Sequence, residues 1–394
     1  VQPPDGNHLE ESGGDGGMKW EKKKLCECTE YITDGDHQPA PKADKGVHFI
    51  KIKDIVNNQV SFDAQVYVPQ EYYDNLPMER KPQKEDVLYT VVGSFGIPSY
   101  VQTDELFCFE RNIALLHPNK AIEPRFLYYS LKNPAFYKGV EIVANGSAQK
   151  LIPLSKLKDL KISVPDKEAQ HRIADILSVY DNLIENNQKQ IKLLEEAARR
   201  LYKEWFVDLR FPGHENTKIV DGVPEGWSRG LLKELISVNY GKDHKKAPDD
   251  GNIPVYGSGG LMRKCNKSLF SGEAVLIPRK GSLNNIMYVD ETFWTVDTMF
   301  YATMKQPHTA VFVYFFVKAF DMYSMNIGAA VPSMTTKILD AMDVVIPDKE
   351  TLEKFDKLTK TYFNKIKTLQ GQNERLKIAR DLLLAKLMSG EVEV

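Results

Sequence analysis

The sequence has few cysteines, no long hydrophobic run and almost no net charge. Its four cysteines, Cys26, Cys28, Cys108 and Cys265, lack the Cys-x-x-Cys or Cys/His spacing of a zinc site. We therefore predict reduced thiols in a cytoplasmic protein and no bound metal. No apolar run approaches the roughly 18 residues that a membrane span needs, which argues against a membrane protein. The formal net charge of −2 decides nothing about nucleic acid, because binding depends on a local basic patch.

The chain length predicts more than one domain. A chain of 394 residues exceeds what a single hydrophobic core usually organises. The stretch before Met18, VQPPDGNHLEESGGDGG, is polar and glycine-rich. We interpret this stretch, 1–17, as a leader or disordered tail, with Met18 as the native start.

A repeat divides the rest of the chain into two similar halves. The tetrapeptide Pro-Asp-Lys-Glu occurs at 165–168 and again at 347–350. The same shift aligns 146–206 with the second copy without a gap. A repeat of this length indicates a duplicated unit of a domain and its connector, and so it predicts two domains.

Each copy continues into a stripe of mostly apolar residues spaced by four and three positions. The first stripe consists of Ile173, Leu177, Tyr180, Ile184, Asn187, Ile191, Leu194, Ala198, Leu201 and Trp205. The second consists of Phe355, Thr359, Tyr362, Ile366, Leu369, Asn373, Leu376, Arg380, Leu383 and Leu387, with Leu358 beside the interrupting Thr359. This spacing over about five heptads predicts coiled-coil helices at 166–209 and 348–390, each with an aspartate N-cap after a proline.

Each stripe contains one asparagine, and the two predict how the helices pair. If Asn187 faces Asn373 in an antiparallel pair, Ile184 meets Leu376 and most other apolar positions also find partners. We therefore predict an intramolecular antiparallel coiled coil whose register the asparagine pair fixes.

The two segments outside the helices have the composition of globular domains. Residues 18–165 and 225–347 are rich in Pro, Gly, Tyr and Phe, and 210–224 is an exposed linker. Their β-prone runs are VHFIKI (47–52), DVLYTVV (86–92), EAVLIP (273–278) and NIMYV (285–289). The predicted fold is α+β, with two mixed α/β domains separated by two long antiparallel coiled-coil helices in a pseudo-twofold internal repeat. The segments before the Gly-Ser turns differ between the copies. Such a difference is typical of two related domains that recognise different ligands.

Three motifs that suggest catalysis have simpler explanations. The stretch Asn-Pro-Ala-Phe at 133–136 resembles a methyltransferase tetrapeptide, but it follows a predicted helix, EPRFLYYSLK, and no glycine-rich cofactor loop accompanies it. Asp166 lacks the Glu-x-Lys partner of a nuclease and suits a helix cap. YGSGG (256–260) lacks the Lys-Ser/Thr of a phosphate loop and indicates a tight turn. We predict no catalytic residue and no cofactor bound by this chain.

Basic and hydroxyl residues cluster around Gly-Ser turns, and these are the candidate DNA contacts. A plain solvated surface explains such a cluster about as often as DNA binding does. Here the clusters lie beside Gly-Ser turns within one domain, which fits phosphate positioning and base contact. The second domain supplies Lys242, His244, Lys245, Lys246, Ser258, Arg263, Lys264, Lys267, Arg279, Lys280 and Ser282. The first domain supplies a weaker set, His37, Lys42, Lys45 and Ser94.

Several longer stretches together resemble one family. They are ITDGDH (32–37), GSFG (93–96), NGSAQKLIPLSKLKDLKISVPDKEAQHRIADIL (145–177), KEWFVDLRFPGH (203–214), VPEGW (223–227), PVYGSGG (254–260) and LLLAKLMSG (382–390). In these stretches the sequence resembles the DNA-specificity (S) subunit of a Type I restriction-modification system. The resemblance covers nearly everything from Met18 onward.

The resemblance implies a function in defence against foreign DNA. It implies two target-recognition domains that read an asymmetric bipartite site in double-stranded DNA, held apart by the helices. It also implies docking of two methyltransferase subunits, which use S-adenosylmethionine, and through them of restriction subunits, which use ATP and Mg. A solitary specificity subunit that competes for methyltransferase partners, or a coiled-coil adaptor without DNA contact, remains an alternative.

One departure from the repeat bears on these contacts. The second copy ends KLMSGEVEV where the first continues EWFVDLRF, so the two methyltransferase contacts need not be equal. Arg380 occupies a position in the second stripe where an apolar residue is expected. We expect its guanidinium to stack on Tyr180.

Overall fold

The computed structural model describes residues 19–144, 150–325 and 333–394, which form two compact units. The first unit combines residues up to Asn186 with Asn373–Val394, and the second consists of Asn187–Gln372. The predicted leader at 1–17, the start at Met18 and the residues NGSAQ (145–149) lie outside the described residues. The division falls inside both long helices, so each unit contains one half of each.

The first unit is a mixed α/β structure. Its strands are β1 (Glu21–Lys24), β2 (Thr29–Asp34), β3 (Val47–Ile50), β4 (Ile55–Val56), β5 (Gln59–Val60), β6 (Tyr67–Val68), β7 (Val87–Thr90), β8 (Pro98–Tyr100), β9 (Phe107–Phe109), β10 (Ile113–Pro118) and β11 (Lys161–Val164). Its helices are α1 (Leu25–Cys28), α2 (Gln70–Asp74), α3 (Pro124–Lys132), α4 (Pro134–Val143), α5 (Leu154–Asp159) and the beginning of α6 (Lys167–Tyr202). The strands form an antiparallel sheet in the order β2-β10-β7-β8, a sheet in the order β6-β3-β9, and the pairs β1-β11 and β4-β5.

The second unit has a related arrangement. Its strands are β12 (Ile219–Val220), β13 (Val223–Pro224), β14 (Ser228–Leu231), β15 (Ile236–Tyr240), β16 (Ile253–Gly257), β17 (Gly260–Cys265), β18 (Phe270–Pro278), β19 (Met287–Thr295), β20 (Met299–Met304) and β21 (Asp343–Ile346). Its helices are α7 (Ala310–Lys318), α8 (Thr336–Asp340) and the beginning of α9 (Lys349–Ser389), which ends in the first unit. The main sheet has the order β15-β20-β18-β19-β16-β17.

The runs of apolar residues form the centre of each sheet. Every residue of β7 is buried, and so are residues 274–278 of β18. Such runs are buried on both faces, which explains why they lack the apolar/polar alternation of a half-exposed strand. All four predicted β-prone runs contain a strand, and the predicted helix EPRFLYYSLK is α3.

The two units repeat the same strand order but not the same loops. The order and directions of β2-β10-β7-β8 match those of β15-β20-β18-β19, and each unit has a parallel pair, β3-β9 and β16-β19. Thr29 begins β2 and Ile236 begins its counterpart, whereas Lys167 and Lys349 begin the long helices. The two strand starts lie further apart in sequence than the two helix starts. The segments between the shared elements therefore differ in length, while the order of the four strands is the same in both units.

The long helices run antiparallel within the first unit. Ile173 and Leu177 of α6 share one core with Leu384 and Leu387 of α9, and all four are almost completely buried. The aspartates predicted as caps have this role: Asp166 accepts from Ala169 N (2.8 Å), and Asp348 accepts from Thr351 N (2.9 Å).

The helices are also antiparallel within the second unit. Trp205, where α6 continues as a π-helix (Lys203–Val207), has its ring centroid 5.8 Å from that of Phe355. The predicted register places these two residues opposite each other. Asn187 and Asn373 are both buried, but they lie on opposite sides of the border between the units, and so their pairing remains a prediction.

The prediction that Leu358 fills the helix seam beside Thr359 is wrong. Leu358 is 45% exposed, whereas its neighbour Thr359 is completely buried. The Thr359 hydroxyl donates to the carbonyl of Phe355 (2.8 Å), which satisfies its polar group inside the helix. The remaining stripe residues are buried or half-buried: Ile173, Leu177, Tyr180, Ile184, Asn187, Ile191, Leu194, Leu201, Phe355, Tyr362, Ile366, Leu369, Asn373, Leu376 and Leu383.

Arg380 does not stack on Tyr180 as predicted, because Asp181 offers a better partner. The Arg380 guanidinium forms an ion pair with Asp181, and its side chain is only 10% exposed. Asp181 also accepts a hydrogen bond from Tyr129 of α3 (2.8 Å), and Lys132 Nζ lies 3.7 Å from its carboxylate. Burial lowers the pKa of Lys132 to about 8. A buried group of charges thus connects α3, α6 and α9 in the first unit.

The stretch VPEGW connects the predicted linker to the second long helix. Trp227 packs against Phe211 (4.8 Å between ring centroids), and its indole N–H donates to Asp348 Oδ2 (2.8 Å). The predicted linker at 210–224 contains a small hairpin formed by β12 and β13. Within the described part of the chain, no helix combines the length and the apolar character that crossing a bilayer requires.

Candidate nucleic-acid interface

Three loops of the second unit meet at one edge of its sheet, around the segment 295–299. They are 241–247 after β15, the turn 257–260 between β16 and β17, and 279–285 after β18. Three backbone hydrogen bonds connect them to this segment: Lys242 N to Thr295 O (2.9 Å), Val296 N to Tyr256 O (3.0 Å) and Arg279 N to Thr298 O (2.8 Å). We call the surface formed by these loops the second reading face.

The two Gly-Ser turns of this face touch each other. The carbonyl of Ser258 accepts a hydrogen bond from the Asn285 side chain (2.9 Å). A Cβ placed on Gly281 would lie only 2.5 Å from Ser258 Oγ, and Gly281 has a φ of +82° that disfavours other residues. Turns that are distant in sequence therefore present their polar groups side by side.

A close backbone approach holds the first of the three loops in place. A Cβ on Gly241 would lie 2.0 Å from the carbonyl oxygen of Val296. In the first unit, Gly35 has the same position after β2, where a Cβ would lie 2.2 Å from Phe109 O. Only glycine permits this contact, because any side chain would separate the loop from the segment that anchors it.

We expect Gly241→Ala to destabilise the second unit by about 1–3 kcal/mol, since the added methyl group collides with backbone that cannot move independently. The control is Gly259→Ala in the turn 257–260, where no atom lies within 4 Å of the added Cβ. We expect this control to change stability by less than about 0.5 kcal/mol. Hydrogen exchange of the β15 and β20 amides measures both effects, and equal exchange in the two variants would contradict the steric account.

The structure places most of the predicted basic residues of the second unit at the surface. Lys242, Lys245, Lys264, Lys267, Lys280 and Ser282 are exposed, and His244, Ser258, Arg263 and Arg279 are half-buried. The side chain of Lys246 lies outside the described part of the structure. Lys242, His244, Lys245, Ser258, Arg279, Lys280 and Ser282 belong to the loops that meet at the reading face.

Arg263, predicted as a DNA contact, is instead used inside the unit. Its guanidinium donates to the carbonyl of Ala247 (2.8 Å) and contacts the His244 carbonyl and the Asp249 carboxylate. Because its donors are engaged by these acceptors, the Arg263 side chain holds the loop 244–249 in place. We conclude that Arg263 shapes the surface on which its neighbours lie.

The side chain of Arg279 has a different environment. It contacts Tyr240, a residue that was not predicted from the sequence. Its guanidinium carbon lies 5.5 Å from the ring centroid of Tyr240, which is 54% exposed. The Tyr240 ring packs edge-on against Phe300 (5.0 Å, 77°), which is completely buried. The sequence does contain a signal for Tyr240, because an aromatic residue at the end of a strand and just before a glycine can contact the loop side chains.

The first unit has a corresponding surface in the loop after β2, which we call the first reading face and which has another chemical character. His37 and Lys42 line an open cleft of about 450 Å³ and are exposed, as is Lys45 in the same loop. His37 Nε2 lies 3.0 Å from Asp34 Oδ2. Burial alone would raise the pKa of Asp36, but hydrogen bonds from Gln38 N and the Tyr72 hydroxyl, together with the charge of Arg80, lower it. The loop is therefore fixed by a charged carboxylate.

Two basic residues of this cleft were not predicted. Lys51 and the exposed Arg111 line the same cleft as His37. Arg111 lies in the turn between β9 and β10, which corresponds to the segment 295–299 of the second unit. Ser94 lies in a separate turn, where Phe95 stacks on Tyr137 of α4 (5.9 Å, 15°), and the exposed serine accepts from the Thr90 hydroxyl through its carbonyl (2.7 Å).

The motifs considered for catalysis have structural roles. Asn133 is the N-cap of α4, since its side chain accepts from Ala135 N (3.0 Å). Asp166 caps α6 in the same way, and YGSGG forms the hairpin turn between β16 and β17. The described residues contain no group of His, Cys, Asp and Glu side chains that could hold a metal ion.

Comparison with known proteins gives a consistent result. A family model described as Type I restriction modification DNA specificity domain matches residues 18–196 and 224–377. The Type I restriction enzyme MjaIX specificity subunit of Methanocaldococcus jannaschii is 26% identical over 318 residues, which cover 70% of this chain and 71% of that protein. The putative MjaX specificity subunit of the same organism is 24% identical and covers 95% of this chain and 94% of its own length.

A solved structure shows the same fold. The crystal structure of a Type I restriction-modification system S subunit from M. genitalium superposes with a TM-score of 0.60 at 20% identity, covering 95% of this chain and 97% of that chain. This likeness confirms the predicted α+β fold with two related domains and long helices.

Proposed function

Because the chain belongs to the family of Type I restriction modification DNA specificity domains, we propose that its two units read the two halves of an asymmetric bipartite site in double-stranded DNA. Specificity subunits are non-catalytic, in agreement with the prediction that this chain is not an enzyme. Partner subunits would then bind S-adenosylmethionine, ATP and Mg, and this chain would bind none of them.

The observation that carries the proposal is the second reading face. Loops that are far apart in sequence bring Lys242, Arg279 and Lys280 together beside two touching Gly-Ser turns. Exposed lysines and serine hydroxyls suit phosphate oxygens, and a planar guanidinium suits a base edge in the major groove. The face thus combines groups that position DNA with a group that discriminates bases.

The asymmetry of the proposed site follows from the difference between the faces. Four strands of the main sheet repeat in order and direction, but the first face is a cleft held by Asp36, whereas the second consists of lysine-bearing turns. Two readers with different side chains recognise different base sequences.

We further propose that methyltransferase subunits dock on the long helices. In the first unit, both helices expose apolar side chains: Ile176, Val179 and Leu183 on α6, and Ile378 and Leu382 on α9. In the second unit, the 69%-exposed Leu193 of α6 borders an apolar groove with Tyr314, Phe315 and Phe363. Exposed apolar groups concentrated on helices are typical of surfaces that another protein covers.

The test is DNA binding by this chain in complex with methyltransferase subunits. We expect the double substitution Lys242→Gln and Lys280→Gln to weaken binding and to reduce the slope of log affinity against log salt by about 2, since each lost phosphate contact removes about 0.9. The control replaces the exposed Lys233 and Lys337 by glutamine; Lys233 precedes β15, at the end opposite the reading face.

The results separate the proposal from its alternative. An unchanged salt slope in the Lys242/Lys280 variant would show that these lysines do not contact DNA. Assembly with methyltransferase subunits but no sequence-specific DNA binding, even by the unaltered chain, would favour a coiled-coil adaptor.

A further inference from the structure

We propose that Arg279 reads a guanine in the half-site of the second unit and that Tyr240 positions its guanidinium for this contact. The inference rests on the proposed function, because it assigns one base contact within the DNA-reading face.

The position of Arg279 is fixed from both sides. Its backbone N–H donates to Thr298 O (2.8 Å), and its carbonyl accepts from Met334 N (2.9 Å). Its guanidinium lies over the face of Tyr240, whose ring is backed by the buried Phe300. Strand, turn and ring together therefore hold a long side chain that would otherwise be mobile.

The contact with Tyr240 uses none of the hydrogen-bond donors of the guanidinium. A cation–π contact is an electrostatic attraction to the ring face, so it does not occupy the N–H groups with an acceptor. The other arginines that the structure describes in this unit donate to protein acceptors: Arg199 and Arg200 to Glu196, Arg210 to Glu204, Arg229 to Asp221 O, and Arg263 to its loop. Among the described residues of this unit, no carboxylate or carbonyl accepts from the Arg279 guanidinium.

An arginine with both donors free matches one base edge best. Its planar fork pairs in bidentate fashion with the O6 and N7 acceptors of guanine in the major groove, whereas adenine offers a donor in place of O6. The exposed Lys280 and Ser282 follow directly, and Ser258 lies beside the same turn. These neighbours suit phosphates, which would set the distance of the fork from the bases.

The experiment determines which sequence is methylated by the complex of the full chain with methyltransferase subunits. Four variants are compared with the unaltered chain: Arg279→Ala, Arg279→Gln, Tyr240→Ala and Tyr240→Phe. Arg279→Gln keeps a polar side chain of similar reach and guards against a folding defect. Arg229→Ala, in β14, is the matched arginine control.

We expect both Arg279 variants to lose preference for guanine at one position of one half-site by about 10- to 100-fold, with the other half-site unchanged. Tyr240→Phe keeps the stacking ring and should keep the preference. Tyr240→Ala should lower it, while Arg229→Ala should leave the whole site intact. A role of Tyr240 in folding alone would not weaken recognition at a single base pair.

Three results would overturn the inference. They are an unchanged recognition sequence in the Arg279 variants, an equal loss in both half-sites, or a relaxed position that is not a G·C pair. If the complex of the unaltered chain methylates no defined sequence, it is the proposed function that fails. If that complex methylates a bipartite site and the Arg279 variants do the same, only this assignment fails.

Discussion

Replacing Asp181 by alanine is expected to lower the free energy of unfolding of the first unit by about 1–3 kcal/mol. The substitution leaves Arg380 and Lys132, whose side chains are 10% and 11% exposed, without their shared carboxylate. It also removes the acceptor of the Tyr129 hydroxyl. Arg380 keeps its ion pair with Asp381 (2.8 Å), so the loss falls mainly on Lys132 and the Tyr129 hydroxyl. Burying a charged or polar group that has lost its partner is costly.

Hydrogen exchange of α3 and α9 amides measures this loss region by region, without assuming that the chain unfolds in one step. The control is Asp175→Ala, an exposed acid on the same helix, for which we expect a change within about 0.5 kcal/mol. Replacing Asp181 by leucine together with Arg380→Met and Lys132→Met should recover most of the stability, because apolar groups of similar size need no partner.

The ionisation of Lys132 gives a second measurement on the same site. Burial lowers its pKa to about 8, and Asp181 acts in the opposite direction. Removing this carboxylate charge by Asp181→Asn should lower the pKa of Lys132 further, which NMR of the labelled lysine side chain detects. An unaltered pKa together with unaltered exchange would mean that Asp181 does not hold these charges.

Lengthening both long helices by one heptad is expected to lengthen the unread spacer of the DNA site by about three base pairs. Seven helical residues add about 10.5 Å at 1.5 Å per residue, and stacked base pairs are about 3.4 Å apart. Seven residues also make nearly two full turns, so the apolar stripe stays continuous. The insertion points are the unit borders, after Asn186 in α6 and after Gln372 in α9.

The methylated sequences of the two complexes provide the comparison. Both half-sites should stay the same and only the distance between them should change. An insertion in α6 alone shifts one stripe against the other and should abolish methylation. An unchanged spacer in the double insertion would contradict the role of the helices in setting the distance.

The long helices could be predicted from sequence because a four-three stripe is a local pattern. Thr359 and Arg380 looked like interruptions of this pattern, yet both are buried. Thr359 satisfies its hydroxyl on its own helix, which is a rule that a sequence can suggest. Arg380 needs Asp181, 199 positions away in the chain, and no periodicity reveals such a partner.

The reading faces were only partly predictable. Composition indicated which residues were basic, but Arg263 and Arg279 look alike in the sequence, and only the fold shows that one is consumed by its own loop while the other lies over Tyr240. The loops meet because the short segment 295–299 bonds to each of them. That convergence depends on long-range strand pairing, which neither charge nor turn motifs encode.

The first unit includes the C-terminal end of the second long helix, and this has a consequence for synthesis of the chain. The core of the first unit needs Leu384, Leu387 and Met388, which are almost completely buried among residues made hundreds of codons earlier. These side chains leave the ribosome only after all of the second unit has been translated. The unit that is made first is therefore completed last, and the nascent chain carries its unfinished apolar surface until residues 373–394 emerge.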